Sequence, residues 1–205
     1  MRHVALSTGI ALALLACSTS QNDEEAVGEF RAAFALLDHA KYVATYEADF
    51  DGNAFDLTVV KDQKCELWRL ENGSEVLLLG QVGDEPILCM LTEEEFRTAC
   101  VEQDYSRVLP FTTLPLPGTF KTIVDRDNLK SLSIRSFSED IAGFRADCFE
   151  ATTRDYGLKI CFGPDGEFLS GRTASAEYSA SIEAIRVTGD LPSTGVDLPY
   201  PLVRQ

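Results

Sequence analysis

Six cysteines are the residues whose types and spacing say most about chemistry: Cys17, Cys65, Cys89, Cys100, Cys148 and Cys161. No two of them form a Cys-x-x-Cys pair. Beyond the first few residues only one histidine, His39, is present. A tetrahedral zinc site is therefore poorly supported, and bridging is the better use of the thiols. "FRADCFEATT" and "LKICFG" flank "RDYG". A hairpin register that opposes Cys148 to Cys161 also pairs Phe149 with Ile160 and Ala151 with Leu158. Directly opposed Cα atoms lie about 4.5 to 5.5 Å apart, within disulfide reach. A Cys148–Cys161 bridge is expected from that coincidence. Cys89 and Cys100 form the second expected pair, which leaves Cys65 reduced as a small apolar residue. Connectivity among Cys65, Cys89 and Cys100 stays open at this level.

Other candidate chemistry is thin. In "DFDGNAFD", Asp49, Asp51 and Asn53 have calcium-loop spacing, but the sixth position is Ala54 and the twelfth is Val60. A hairpin turn at Asp51-Gly52 explains the stretch better. His39 ends a helical pattern, where a cation suits the macrodipole. No Gly-x-Ser-x-Gly and no glycine-rich phosphate loop is present. The expectation is a non-enzyme with no cofactor and no metal.

Cys17 stands apart from the other five. Residues 4 to 16 are mostly apolar but too few to cross a bilayer core of about 30 Å. They read as a secretory signal behind Met1-Arg2-His3. The run ends in Leu14-Leu15-Ala16-Cys17, which resembles the lipobox of bacterial lipoproteins. That resemblance implies acylation of Cys17 and cleavage before it. The implied layout is a signal peptide over 1–16, a lipidated N-terminus and tether over 17–25, and one domain over 26–205. It also implies an exported protein, lipid-anchored to the outer face of the cell membrane or to the periplasmic side of an envelope membrane. The chain carries 18 Lys and Arg against 33 Asp and Glu, a net charge of −15. Such a surface repels nucleic acid and anionic headgroups, so attachment should run through the acyl chains.

The elements behind these residues follow from periodicity. Val27, Phe30, Phe34 and Leu37, widened by Ala33, Leu36 and Ala40, mark an amphipathic helix over about 23–40, with Asn22 and Glu25 as a capping arrangement. The period then changes to two. Asp51-Gly52 closes a hairpin that pairs Ala48 with Phe55, Tyr46 with Leu57 and Ala44 with Val59. Asn72-Gly73 closes a second, setting Trp68 opposite Leu77 and Leu67 opposite Leu78. "EPILCML" is a further strand. "TEEEFRTACVEQ" fits either a short helix or a returning strand. Residues 109 to 131, with Pro110, Pro115, Pro117 and Gly118, form an irregular crossover that could hold a short helix at about 119–130. Strands resume with the Cys148–Cys161 hairpin, "GPDGEFLSGRT" and "EYSASIEAIRV", before a proline-rich tail.

The fold class is α+β: a large curved antiparallel sheet, a half-barrel of about nine strands, wrapped around the N-terminal helix and the mid-chain crossover. Helix, meander, interruption and meander behind a lipobox resemble the lipoprotein carriers LolA and LolB and the mycobacterial LppX and LprG lipoproteins. The segment "IAGFRADCFEAT…LKICFGPDGEFL" is similar to uncharacterised bacterial lipoproteins of that type. The resemblance implies an apolar ligand such as a lipid or acyl chain. Candidate lining residues are Tyr42, Tyr46, Phe55, Leu57, Trp68, Leu77, Phe149 and Phe162. The alternative is a structural or protein-interaction module of the envelope with a filled core.

Overall fold

The structure, a computed structural model, describes residues 19–62, 65–72, 75–82, 85–91, 99–102, 114–117, 120, 133–152, 156–191 and 202–203. Helix α1 spans Thr19–Leu37. Strands β1 (Tyr42–Phe50), β2 (Asn53–Lys61), β3 (Cys65–Asn72), β4 (Glu75–Val82), β5 (Glu85–Leu91) and β6 (Ala99–Glu102) form a first meander. Strands β7 (Ser133–Ile141), β8 (Phe144–Thr152), β9 (Tyr156–Phe162), β10 (Phe168–Ser175) and β11 (Ser179–Thr188) form a second. The two join through β1 and β11 in one sheet of order β12-β6-β5-β4-β3-β2-β1-β11-β10-β9-β8-β7, where β12 is Leu202–Val203.

Alternation decides which face is inside. Tyr42, Ala44, Tyr46 and Ala48 are buried along β1, while Glu47 is exposed. Their β2 partners include Leu57 and Val59, also buried, and these face Leu70 and Trp68 of β3. Asp51 and Gly52 take φ of 49° and 83°, the left-handed pair that a two-residue hairpin loop needs. Ala142 and Gly143 repeat it between β7 and β8, with 50° and 83°.

Helix α1 lies over the second meander. Phe30 meets Phe149 edge-on at 5.2 Å, and Phe34 meets Phe162 at 5.1 Å. Its end rests on the turn after β9. Gly166 has φ of +85°, and a Cβ there would come 2.5 Å from the Leu36 carbonyl carbon. Leu114 and Leu116, with Phe120, bury themselves in the same core from the crossover. They pass so close to β10 that a Cβ on Gly171 would meet the Pro115 carbonyl oxygen at 2.2 Å.

Several expectations change. The sheet has twelve strands, not about nine. β7 was not anticipated, because its residues "SIRSFSEDI" are mostly polar. The tail contributes β12, which pairs with β6 in parallel. Residues 99–102 return as a strand beside β5, while a helix at about 119–130 falls mainly outside the described residues. α1 starts at Thr19, so Asn22 is within the helix and does not cap it, and the helix stops at Leu37. Leu36 is 50% exposed, and Ala26 takes a buried place instead. The β3–β4 register pairs Trp68 with Leu79 and Leu67 with Gly80, two residues from the expected alignment. A two-residue slip leaves every side chain on its face, so alternation cannot detect it. Gly80 accounts for the choice: a Cβ there would sit 1.9 Å from the Glu66 carbonyl oxygen. The hairpins pairing Tyr46 with Leu57 and Cys148 with Cys161 have the registers expected from sequence.

Candidate functional site

The expected lining residues separate into two groups. Tyr42, Tyr46, Leu57 and Trp68 are packed core. The Tyr46 ring lies 5.7 Å from both Trp68 and Phe168, and its hydroxyl donates to the Phe168 carbonyl at 2.6 Å. Glu66 accepts from the Trp68 indole N–H and from Lys61 Nζ, each at 2.9 Å. Burial, above all, pushes the Tyr42 and Tyr46 phenols above the ordinary tyrosine range; the Glu66 carboxylate adds to it for Tyr42, and the neighbouring Tyr42 for Tyr46. Phe55 is half-buried beside this group. Leu77 is placed by its backbone alone, opposite Leu70.

Phe149 and Phe162 belong to the second group, under α1. There a recess of about 370 Å³ opens between the helix and β7, β8 and β9. Its apolar lining includes Ala32, Ala33 and Leu36 of α1 with Phe149 and Phe162 of the sheet. The small alanines leave space over the sheet, and Phe30 and Phe34, in edge contact with each other at 4.8 Å, brace the helix beside it. Glu29, Ser136, Ser138 and Asp147 supply the polar lining, and among the described residues no Lys, Arg or His contributes. Ser138 and Asp147 are cross-strand partners, and Asp147 also opposes Phe162, so the register carries this carboxylate to the recess side. Sequence reading missed Glu29, Ala32, Ser136, Ser138 and Asp147 in this role. The only available signal was the adjacent pair Ala32-Ala33 on an otherwise bulky stripe.

A second hollow, of about 320 Å³, runs along the cross-strand row Asp49, Ser181, Arg172 and Lys159. It carries both signs of charge and more polar than apolar surface.

The cysteines follow the sheet. Cys148 and Cys161 are fully buried and bonded. Glu139 lies 3.8 Å from Cys148 Sγ, but with both sulfurs in the bridge no thiolate is left there for a metal. Cys89 and Cys100 are direct register partners, and Cys65 opposes Val82. Cys17 lies outside the described residues. His39 is exposed just past α1. The carboxylates of "DFDG" serve the hairpin: Asp49 Oδ1 accepts from the Gly52 N–H at 3.0 Å, and Asp51 Oδ1 from the Ser179 N–H at 2.9 Å. The block "IAGFRADCFEAT…LKICFGPDGEFL" resolves into the Ala142-Gly143 turn, the disulfide, Phe162 beneath α1, and Gly166 against its end.

No family model matches the chain, and no curated protein matches it by sequence. Solved structures do match its fold. The crystal structure of MucB is 13% identical, with a TM-score of 0.53 over 82% of this chain and 60% of MucB. The Pseudomonas aeruginosa MucA/MucB complex gives 14% identity and a TM-score of 0.53, over 82% of this chain and 59% of that one. The Mycobacterium tuberculosis lipoprotein LppX is 10% identical, with a TM-score of 0.48 over 79% of this chain and 94% of LppX. This chain thus spans about 60% of the length of the MucB chain it matches. At such identities the MucB likeness is one of fold, an α+β curved antiparallel sheet. Among the described residues no helix is long and apolar enough to cross a membrane.

Proposed function

We propose that this is an exported cell-envelope lipoprotein, anchored by acyl chains on Cys17, that holds an apolar ligand such as an acyl chain under α1. The observation carrying the ligand site is the recess lined by Ala33, Leu36, Phe149 and Phe162. Its volume is at the small end of ligand pockets, roughly 300 to 1,000 Å³. The centre of the half-barrel is a poorer candidate, because Leu114, Leu116 and Phe120 fill it beside Trp68 and Tyr46. Leu36, half exposed at the recess, is the kind of apolar surface a ligand would cover.

Two measurements test this. Cys17→Ala should move the protein from the membrane to the soluble fraction; wild type without acyl mass, still pelleting as the variant does, would refute the anchor. Ala33→Phe should fill the recess. Mass spectrometry of gently purified wild type should show a co-purifying apolar ligand that Ala33→Phe lacks. A clean mass, with no melting shift on adding octyl glucoside, would overturn the ligand site, since a ligand that binds only the folded state must stabilise it.

A second reading, a protein-interaction module, is favoured by the filled centre. MucB, which shares the fold, has been solved in complex with MucA. A specific protein partner captured equally by wild type and Ala33→Phe would support it.

A further inference from the structure

We infer that the recess under α1 selects amphiphiles by the charge of their headgroup, taking a cationic head and disfavouring an anionic one. The inference rests on reading the recess as an apolar-ligand site and adds the chemistry of the ligand's polar end. Ala33, Leu36, Phe149 and Phe162 give a place for an apolar body. Among the described residues every charged lining residue is a carboxylate, Glu29 from the helix and Asp147 from β8. A head emerging from the recess would therefore meet acid on both sides.

The neighbouring bases among the described residues are directed elsewhere. Lys159 pairs with Glu139, and its register partner is Glu150, in the row that alternates with the one holding Phe149. Arg135 bonds Glu150. Arg145, on the same strand as Asp147, lies 3.6 Å from Asp140 and does not line the recess. The chain's overall −15 pushes the same way. Glu29 and Asp147 are solvent-exposed, so their effect is modest and sensitive to salt.

The test uses the full mature chain carrying Cys17→Ala, with three probes that share one tail: octyltrimethylammonium, octyl glucoside and octanoate. Affinities are measured by titration at low salt and neutral pH. The ammonium should bind most tightly and octanoate least, about ten-fold apart, with the gap shrinking in 0.5 M salt as exposed charges are screened. Glu29→Gln with Asp147→Asn should bring the two charged probes together, the ammonium weakening and octanoate strengthening. Ala33→Phe should weaken all three. If octyl glucoside binds and Ala33→Phe abolishes it, yet octanoate matches the ammonium in wild type, charge selection is wrong while the apolar site stands. If no probe binds, or binding ignores Ala33→Phe, the apolar site itself is wrong and the selectivity falls with it.

Discussion

β1 to β6 and β7 to β11 are both sequential meanders, and each sets one cysteine pair directly opposite across adjacent strands: Cys89 with Cys100 in the first, Cys148 with Cys161 in the second. They differ in how they are braced. The second has α1 laid over it and a disulfide on the row that alternates with the one meeting the helix. The first is tied inward by Trp68, whose ring joins Tyr46 and Phe168 across the β1–β11 seam. A helix brace touches a sheet only where its long side chains reach down. Beside the touching pair Phe30 and Phe34, where Ala32 and Ala33 fall, space remains. Side chains packed directly against one another leave none. Among the described residues, the apolar recess lies in the region braced by a separate element.

The largest expected effect is on the seam. Trp68→Ala removes a side chain only 3% exposed that touches both meanders, and should cost about 3 to 5 kcal/mol in urea unfolding. Phe34→Ala removes a half-buried ring from the helix brace and should cost clearly less, while enlarging the recess. If Phe34→Ala proves as costly as Trp68→Ala, the helix brace and the seam carry equal weight and the contrast between the meanders fails.

The disulfide comes next. Replacing Cys148 and Cys161 together by alanine should cost about 3 kcal/mol, the chain-entropy value for a closed loop of that order. Non-reducing peptide mapping should show Cys148 joined to Cys161. It should also show Cys89 joined to Cys100 and Cys65 alkylated, which would make the two meanders alike in their covalent ties. A peptide linking Cys65 to Cys89 or to Cys100 would instead make the first meander's brace different in kind.

Legibility followed the same division. The Cys148–Cys161 hairpin could be read because two independent signals, the thiols and the apolar alternation, demanded one register. The Asn72-Gly73 hairpin offered alternation and a turn dipeptide, and the dipeptide pointed two residues off, because Asn72 belongs to the ladder opposite Glu75. Leu77 and Leu79 satisfy the alternation equally, and only the close approach of the Glu66 carbonyl to Gly80 separates the two alignments. β7 was missed because Ile134, Phe137 and Ile141 recur at three and four, a helical spacing, along a strand whose other residues are polar. The recess was out of reach for a different reason. It exists where the small residues of one element face the large residues of another, and no local pattern reports that meeting.

The seam should also govern the response to alkali. Tyr42 and Tyr46 hold their protons above the pH at which an unfolded tyrosine loses its own, near 10. Below that pH both states are protonated and the stability is fully present. Above it the unfolded chain ionises first, so stability falls by about 1.4 kcal/mol per tyrosine for each pH unit. Tyrosinate absorbance from these two residues should then appear only with unfolding. Early, non-cooperative ionisation of Tyr42 and Tyr46 would mean that the seam is wet.

The smallest effect compares the two meanders through their ion pairs. Lys61 and Glu66 lie 2.9 Å apart with side chains 10% and 33% exposed, whereas Arg135, paired with Glu150, is 73% exposed. Arg135→Ala should therefore change stability by less than about 1 kcal/mol. The inner pair should be asymmetric. Lys61→Met leaves Glu66 with the Trp68 N–H and some water, and should cost little. Glu66→Leu strands a nearly buried ammonium and an indole N–H together, and should cost about 1 to 3 kcal/mol. Adding Lys61→Met to Glu66→Leu should recover part of that loss, because it removes the stranded charge, while Trp68→Phe in the same background should recover the remainder owed to the indole. Equal costs for Lys61→Met and Glu66→Leu would show that Glu66 is not shared between Lys61 and Trp68. The first meander would then be tied at the seam by ring packing alone.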